Sequence, residues 1–327
     1  MPILKNSELI PPFWLPNGHL QSIYPALFRK IEDVNYQRER IITEDHDFLD
    51  LDWSFAKQKS EEIKTLVILS HGLEGNSTRQ YVLGMVRLLN TKGFDCLAWN
   101  YRSCSGVMNS TSRFYHSGAT DDLESVIKHA VTKGYQKIDL IGFSLGGNLT
   151  LKYLGEPRVN DRINKAVVFS VPMDLRASSL SIIKSENQVY MHRFLRTLKL
   201  KVDEKSRIFP KEINIANYRH VKTLYDFDHI FTAPLHGFEG ADHYYEKCSS
   251  MFFVENITVP TLIVHAENDP IVPFSSLPFD LIASKSNIGI VTSKHGGHCG
   301  FRPSKIINGA YWSENIALDY LSNSIVS

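Results

Sequence analysis

Ile138-Asp139-Leu140-Ile141-Gly142-Phe143-Ser144-Leu145-Gly146-Gly147-Asn148 is the stretch on which the reading of this chain turns. Ile138, Leu140 and Ile141 read as a buried strand. Leu149, Leu151 and Leu154 continue beyond the turn at helical spacing. Gly142-Phe143-Ser144-Leu145-Gly146 fits G-x-S-x-G, the pattern in which a serine hydroxyl projects from a strained strand-to-helix turn. Bulky residues two before or two after the serine would collide with neighbouring backbone, and glycine removes that collision. A helix starting just after Ser144 aims its N-terminal amides and its dipole at negative charge developing there. The same turn, read blandly, is an ordinary glycine-bounded connection, so the rest of the chain has to decide.

Working outward from this turn, strands alternate with helices. Thr65-Leu66-Val67-Ile68-Leu69 and Phe94-Asp95-Cys96-Leu97-Ala98-Trp99 are nearly continuous apolar runs, as in parallel strands buried on both faces. Ala166-Val167-Val168-Phe169, residues 261–265 and residues 288–292 add three more. Helices are predicted over 79–92, 121–133 and 311–324, with Thr120 as N-cap of the second. Residues 39–43 and 48–55 form a predicted hairpin across a polar turn. This rhythm specifies a mostly parallel sheet flanked by helices. It lapses between 173 and 250, which we expect to be an inserted helical cap, with 1–172 and 251–327 as the core. Residues 226–231 and 236–238 read there as loop and short helix. Arg193, Arg196, Lys199, Lys201, Lys205, Arg207 and Lys211 read as a solvated helical face. The proline-interrupted opening, residues 10–28, cannot be one regular helix and is expected to pack as an arm against the body.

Composition bounds the function. The chain has 327 residues, 43% hydrophobic and 22% charged, ample for a large core. A net charge of +1 gives no argument for nucleic acid or an anionic surface. Cys96, Cys104, Cys248 and Cys299 lack paired short spacing and read as free thiols of a reducing compartment. No secretory signal and no run of about 18 apolar residues is visible, so a cytoplasmic protein without a membrane anchor is expected. The histidines form no H-E-x-x-H, and no phosphate-binding glycine loop is present, so neither metal nor nucleotide cofactor is expected.

A serine nucleophile needs a base, and the base needs an orienting carboxylate. Asp269 follows the strand at 261–265, with Glu267 as the competing acid. His298 lies in the glycine-rich loop after the last strand, deeper than the competing His295. The order Ser144, Asp269, His298 is that of hydrolases built on this turn. An oxyanion would be held by the amides of Leu145 and of Leu73. His71 is expected to brace the loop that carries Leu73. His116 and Asp121 fit H-x4-D, a pattern of some acyltransferases, but a helix-entry turn explains them as well.

Several further motifs carry a family resemblance: Trp14 with Gly18-His19-Leu20-Gln21, His71-Gly72-Leu73-Glu74-Gly75, Asn100-Tyr101-Arg102, Phe231-Thr232-Ala233-Pro234, Asp242-His243-Tyr244-Tyr245 and Gly296-Gly297-His298-Cys299-Gly300. With the Ser144 turn they resemble the α/β-hydrolase superfamily, and within it the YheT-like esterases of the AB hydrolase-4 branch. The resemblance implies an α/β-hydrolase fold, a Ser144–Asp269–His298 triad and hydrolysis of small-molecule carboxylic esters. One departure is Ser103, where the branch usually carries glycine.

Overall fold

The computed structural model describes residues 8–57 and 65–322. Eight strands form one sheet: β1 (Gln37–Ile42), β2 (Phe48–Ser54), β3 (Thr65–Ser70), β4 (Asp95–Asn100), β5 (Lys137–Phe143), β6 (Ile163–Phe169), β7 (Thr261–Ala266) and β8 (Ile288–Ser293). Their order is β1-β2-β4-β3-β5-β6-β7-β8. β1 and β2 pair antiparallel, as does β2 with β4, and all other neighbours run parallel.

The apolar runs are continuous because both faces of the sheet are covered. Leu66, Ile68, Ile138 and Leu140 point to one face and Val67, Leu69, Ile141 and Phe143 to the other. The first face is covered by α3 (Thr120–Thr132) and α4 (Leu145–Leu154), through Leu123, Val126, Leu149 and Leu151. The second is covered by α2 (Gln80–Thr91) and by the C-terminal helix Trp312–Ser322, through Val82, Met85, Ile316 and Leu321. Asp50 and Asp52 of β2 are buried because Arg40 and Arg38 of β1 meet them as two-pronged ion pairs at 2.7–2.9 Å.

Residues 10–28 are not one regular helix: 10–17 are irregular, and α1 (Gly18–Phe28) begins only after them, with Pro25 inside it and Asn17 capping it through Leu20 N–H at 3.0 Å. Two sequence expectations need correction here. Thr120 is the first helical residue of α3 rather than its cap, and its hydroxyl donates instead to Glu156. Residues 224–235 form a single helical stretch with a π-type turn over Asp228–Thr232 in place of a loop.

Between β6 and β7 the chain is helical: α5 (Leu175–Ile182), α6 (Gln188–Ile208), the stretch just described, and Ala241–Cys248. The basic residues of α6 divide rather than forming one solvated face. Lys205 is fully buried, donating to the carbonyls of Thr111 at 2.7 Å and of Arg113. Lys201 points inward to Glu74 at 2.7 Å, while Arg196, Lys199 and Arg207 stay exposed. Asn148 of α4, fully buried, donates to the Ser117 and Cys248 carbonyls and accepts from Ser250 N–H. This ties the end of the helical segment between β6 and β7 to the helix behind the serine.

Candidate active site

Ser144 stands between β5 and α4 with φ +52° and ψ −119°, a conformation an L-residue adopts only when its surroundings impose it. What imposes it is the packing of two glycines. A Cβ on Gly142 would lie 2.5 Å from the Gly146 carbonyl oxygen, and one on Gly146 would lie 2.3 Å from the Ser70 carbonyl oxygen. Both positions need close approach; neither has positive φ. The strained serine lets α4 lie against the end of β3 while its hydroxyl stays half-exposed.

Asp269 and His298 converge on it. The His298 Nδ1–H donates to Asp269 Oδ2 at 2.9 Å, which leaves Nε2 to accept from the Ser144 hydroxyl at 2.9 Å. Asp269 also accepts from the amides of Ile271 (2.9 Å) and Val272 (3.0 Å). Burial alone would raise the pKa of this carboxyl. The neighbouring His298 and the Val272 amide outweigh it and hold the group below the usual carboxylate range. Glu267 is exposed, and His295 makes no bond to the serine, so of each competing pair only Asp269 and His298 enter the cluster.

The loop 71–75, expected from the sequence to offer an oxyanion donor, is held by side chains that take its other amides. Gly72 N–H donates to Tyr81 OH at 3.0 Å and Glu74 N–H to Tyr115 OH at 2.9 Å. Between them, Leu73 N–H has no acceptor among the described residues, nor does Leu145 N–H at the start of α4. The two amides flank a cavity that Leu73 and Ser144 both line. His71 bridges the loop to β4, donating from Nδ1 to the Gly72 carbonyl at 2.8 Å and accepting Tyr101 N–H at Nε2. Burial pushes its pKa down to about 3, so it stays neutral and serves as a brace. His116 turns into the apolar cavity and Asp121 pairs with Arg113 at 2.9 Å, so these two form no common centre.

Three residues that sequence reasoning missed organise the loops. Gln21, fully buried in α1, accepts from Gly296 N–H (2.6 Å) and from Asn268 Nδ2 (3.1 Å), and donates to the Leu15 carbonyl. Ser22 Oγ accepts from His298 N–H at 2.7 Å while donating to the Gly18 carbonyl. Asn268 Oδ1 accepts from Gly297 N–H at 3.0 Å. Gly297 cannot carry a side chain, having φ +58° and a would-be Cβ 2.4 Å from the Gly18 carbonyl. The only hint was Gly18-His19-Leu20-Gln21, which carries no periodicity that points to a loop so distant in the chain. Ser103, the departure noted above, sits at φ +62°, which accounts for glycine being usual there. Its hydroxyl is taken up inside the loop, donating to Asn109 Oδ1.

All four cysteines are free. Among the described residues, no helix is long and apolar enough to cross a membrane, and no cluster of potential metal ligands occurs.

Comparison with known proteins bears on the family and the fold. A family model described as "alpha/beta hydrolase fold" matches residues 65–299. The chain is 32% identical over 321 residues to "Putative esterase YheT" of Escherichia coli (strain K12), covering 97% of this chain and 94% of that protein. It is 29% identical over 299 residues to "Phospholipase ABHD3" of Homo sapiens, covering 89% of this chain and 73% of that one. Among solved structures, the Pyrococcus furiosus esterase Pf2001 superposes with TM-score 0.54 at 15% identity, over 90% of each chain. Est1E from Butyrivibrio proteoclasticus does so with TM-score 0.56 at 16% identity, over 87% of this chain and all of that one. The chain therefore belongs to the α/β-hydrolase family, in the AB hydrolase-4 branch that it shares with these YheT and ABHD3 relatives.

Proposed function

We propose that the protein is a serine carboxylic ester hydrolase acting through an acyl-enzyme on short- to medium-chain esters. The observation that carries this reading is the chain of two 2.9 Å contacts from Ser144 through His298 to Asp269. His298 takes the proton as Ser144 Oγ bonds to the ester carbonyl carbon. The Leu73 and Leu145 amides receive the charge that develops on the carbonyl oxygen. His298 then returns the proton to the departing alcohol as the old ester bond breaks. Water, deprotonated by His298, attacks the acyl-serine, releases the acid and restores the serine hydroxyl. Asp269, held ionised by its environment, keeps the imidazole in the tautomer this cycle needs.

The segment 173–250 acts in this reading as a cap. Leu175, Ile182, Phe194, Leu198 and Leu224 from it line an apolar cavity whose other wall holds Ser144 and His298. A chain of several methylenes fits that lining, which favours the second reading, lipid acyl hydrolysis or acyl transfer. The ABHD3 relative is named a phospholipase. The free thiols fit a reducing, cytoplasmic setting.

Hydrolysis of p-nitrophenyl esters from acetate to palmitate by the protein and by Ser144→Ala tests the reading. Turnover that peaks at short or medium chains and vanishes in the variant is expected. Equal rates in both proteins would sink it, and a maximum at the longest chains would favour the lipid reading. Binding of ester products without any turnover would instead make this a ligand-binding member of the family.

A further inference from the structure

The cavity system at Ser144 has two unlike halves. The apolar half lies under the 173–250 segment. The other half runs from Ser144 and His298 past Gly72 and Leu73 to Glu74, Arg79 and Arg193. The charged groups facing it come from the loop 71–75 (Glu74), from the leading end of α2 (Arg79), from α6 (Arg193) and from His298 itself. The single carboxylate is already engaged. Glu74 Oε1 lies 2.7 Å from Lys201 Nζ and accepts the Tyr115 hydroxyl at 2.7 Å.

The two guanidiniums are not engaged in that way. Arg79 Nη2 donates to the Glu74 backbone carbonyl at 2.8 Å and meets no carboxylate among the described residues. Arg193 has neither hydrogen bond nor ion pair among them. By contrast Arg29 is matched to Glu314, Arg38 to Asp52, Arg40 to Asp50 and Arg102 to Asp122, while Arg302 stacks on Trp14 and Tyr24. Arg193 is exposed at the rim of this recess, and partial desolvation together with the facing Arg79 holds its guanidinium below its ordinary pKa, as expected for two cations sharing one opening. An anion delivered between them would relieve that repulsion and find planar, two-pronged donors.

We propose that Arg79 and Arg193 form an anion-recognition subsite, so that the preferred substrates are esters carrying a phosphate or carboxylate beside an apolar chain. The apolar chain occupies the capped half, the ester carbonyl lies at Ser144, and the anionic group sits between the guanidiniums. The substrate part of this inference rests on the esterase reading above. The binding part does not.

The test titrates hexyl phosphate, hexanoate and 1-hexanol into the full chain at low ionic strength, followed by calorimetry, with Arg79→Gln/Arg193→Gln as the comparison. At least one anionic ligand should bind about tenfold or more tightly than hexanol, since a charge-assisted pair contributes that much. The advantage should shrink with added salt and disappear in the double variant. A gain for the phosphate alone, or for the carboxylate alone, supports the subsite and identifies which group it takes. Equal affinity for all three ligands in the wild-type protein overturns the proposal, and this arm does not depend on the variant folding. An advantage that survives in a folded double variant overturns it too. In parallel, the butyrate ester of 4-hydroxybenzoate is compared with that of its neutral methyl ester, and the anionic ester should show the higher kcat/KM. Ser144-dependent hydrolysis without an anion advantage would overturn the subsite alone. Arginine-dependent hexyl phosphate binding with no ester turnover would overturn the esterase reading alone.

Discussion

Gln21 Oε1 accepts the Gly296 amide at 2.6 Å and the Asn268 side-chain amide at 3.1 Å, so one buried glutamine on the N-terminal helix joins the loops of Asp269 and His298. The same residue donates to the Leu15 carbonyl, which leaves it one conformation. Gln21→Leu removes the shared acceptor and should cost about 1–3 kcal/mol, the desolvation penalty of stranded donors. Because the histidine loop would shift, ester turnover should fall about ten- to a hundredfold, mostly in kcat. Gln21→Glu keeps the acceptor but sets a buried carboxylate oxygen against the Leu15 carbonyl, so it should recover only a small part of it. Steady-state kinetics on p-nitrophenyl butyrate with parallel urea unfolding would check this. Unchanged kcat in Gln21→Leu would mean that the loops hold themselves.

Asp269 fixes the imidazole through two contacts, at 2.9 and 3.2 Å from Nδ1. Asp269→Asn offers a donor where an acceptor is needed and favours the opposite tautomer. The expected result is a fall in kcat of about 10³–10⁴ with little change in KM. A loss smaller than tenfold would point to another orienting group.

Asp228 lines the apolar cavity, bonded among the described residues only to the hydroxyls of Thr232 (2.7 Å) and Tyr245 (2.8 Å). Burial raises its pKa from 3.8 to about 6. The folded protein therefore binds a proton more tightly than the unfolded chain between these values, and stability should fall as pH climbs through that window. Asp228→Asn removes the penalty and should raise stability at pH 7.5 by about 1–2 kcal/mol, with no gain below about pH 4. Thermal unfolding of both proteins across this pH range measures it. A gain independent of pH would show that something other than ionisation is responsible.

Arg102, at 2% exposure, spends all its donors on Asp122, Asp45 and Asp47 at 2.6–3.2 Å. Asp47 is also held by Thr111, Asn109 and the Ser110 amide, so the cluster ties the β1–β2 turn to the loop before α3. A lysine cannot reach three carboxylates. Arg102→Lys should lose about 3–5 kcal/mol in urea unfolding, the cost of stranding buried charge. A loss below about 1 kcal/mol would mean that the aspartates re-pair with Arg113 or water.

The strands, the helices α2–α4 and the strained serine turn were legible in the sequence for local reasons. A strand buried on both faces must be apolar throughout, as Thr65–Leu69 and Ala166–Phe169 are, and a turn this tight admits only glycine at 142 and 146. The chain order of Ser144, Asp269 and His298 was legible because each follows a strand end, and strand ends of a parallel sheet gather at one edge. Other features depend on what the fold brings close. The direction of Lys201 and Lys205 is set by Glu74 and by the carbonyls of Thr111 and Arg113, all remote in sequence, so a run of basic residues read alone looked solvated. The role of α1 is equally tertiary. Gln21 and Gly296 are 275 positions apart, and a single buried amide leaves no periodic trace. Local backbone sterics and hydrophobic patterning determined the sheet and the serine turn. Long-range hydrogen bonds and ion pairs, whose partners exist only once the chain has folded, decided how the loops of Asp269 and His298 are held and which charges face the cavity.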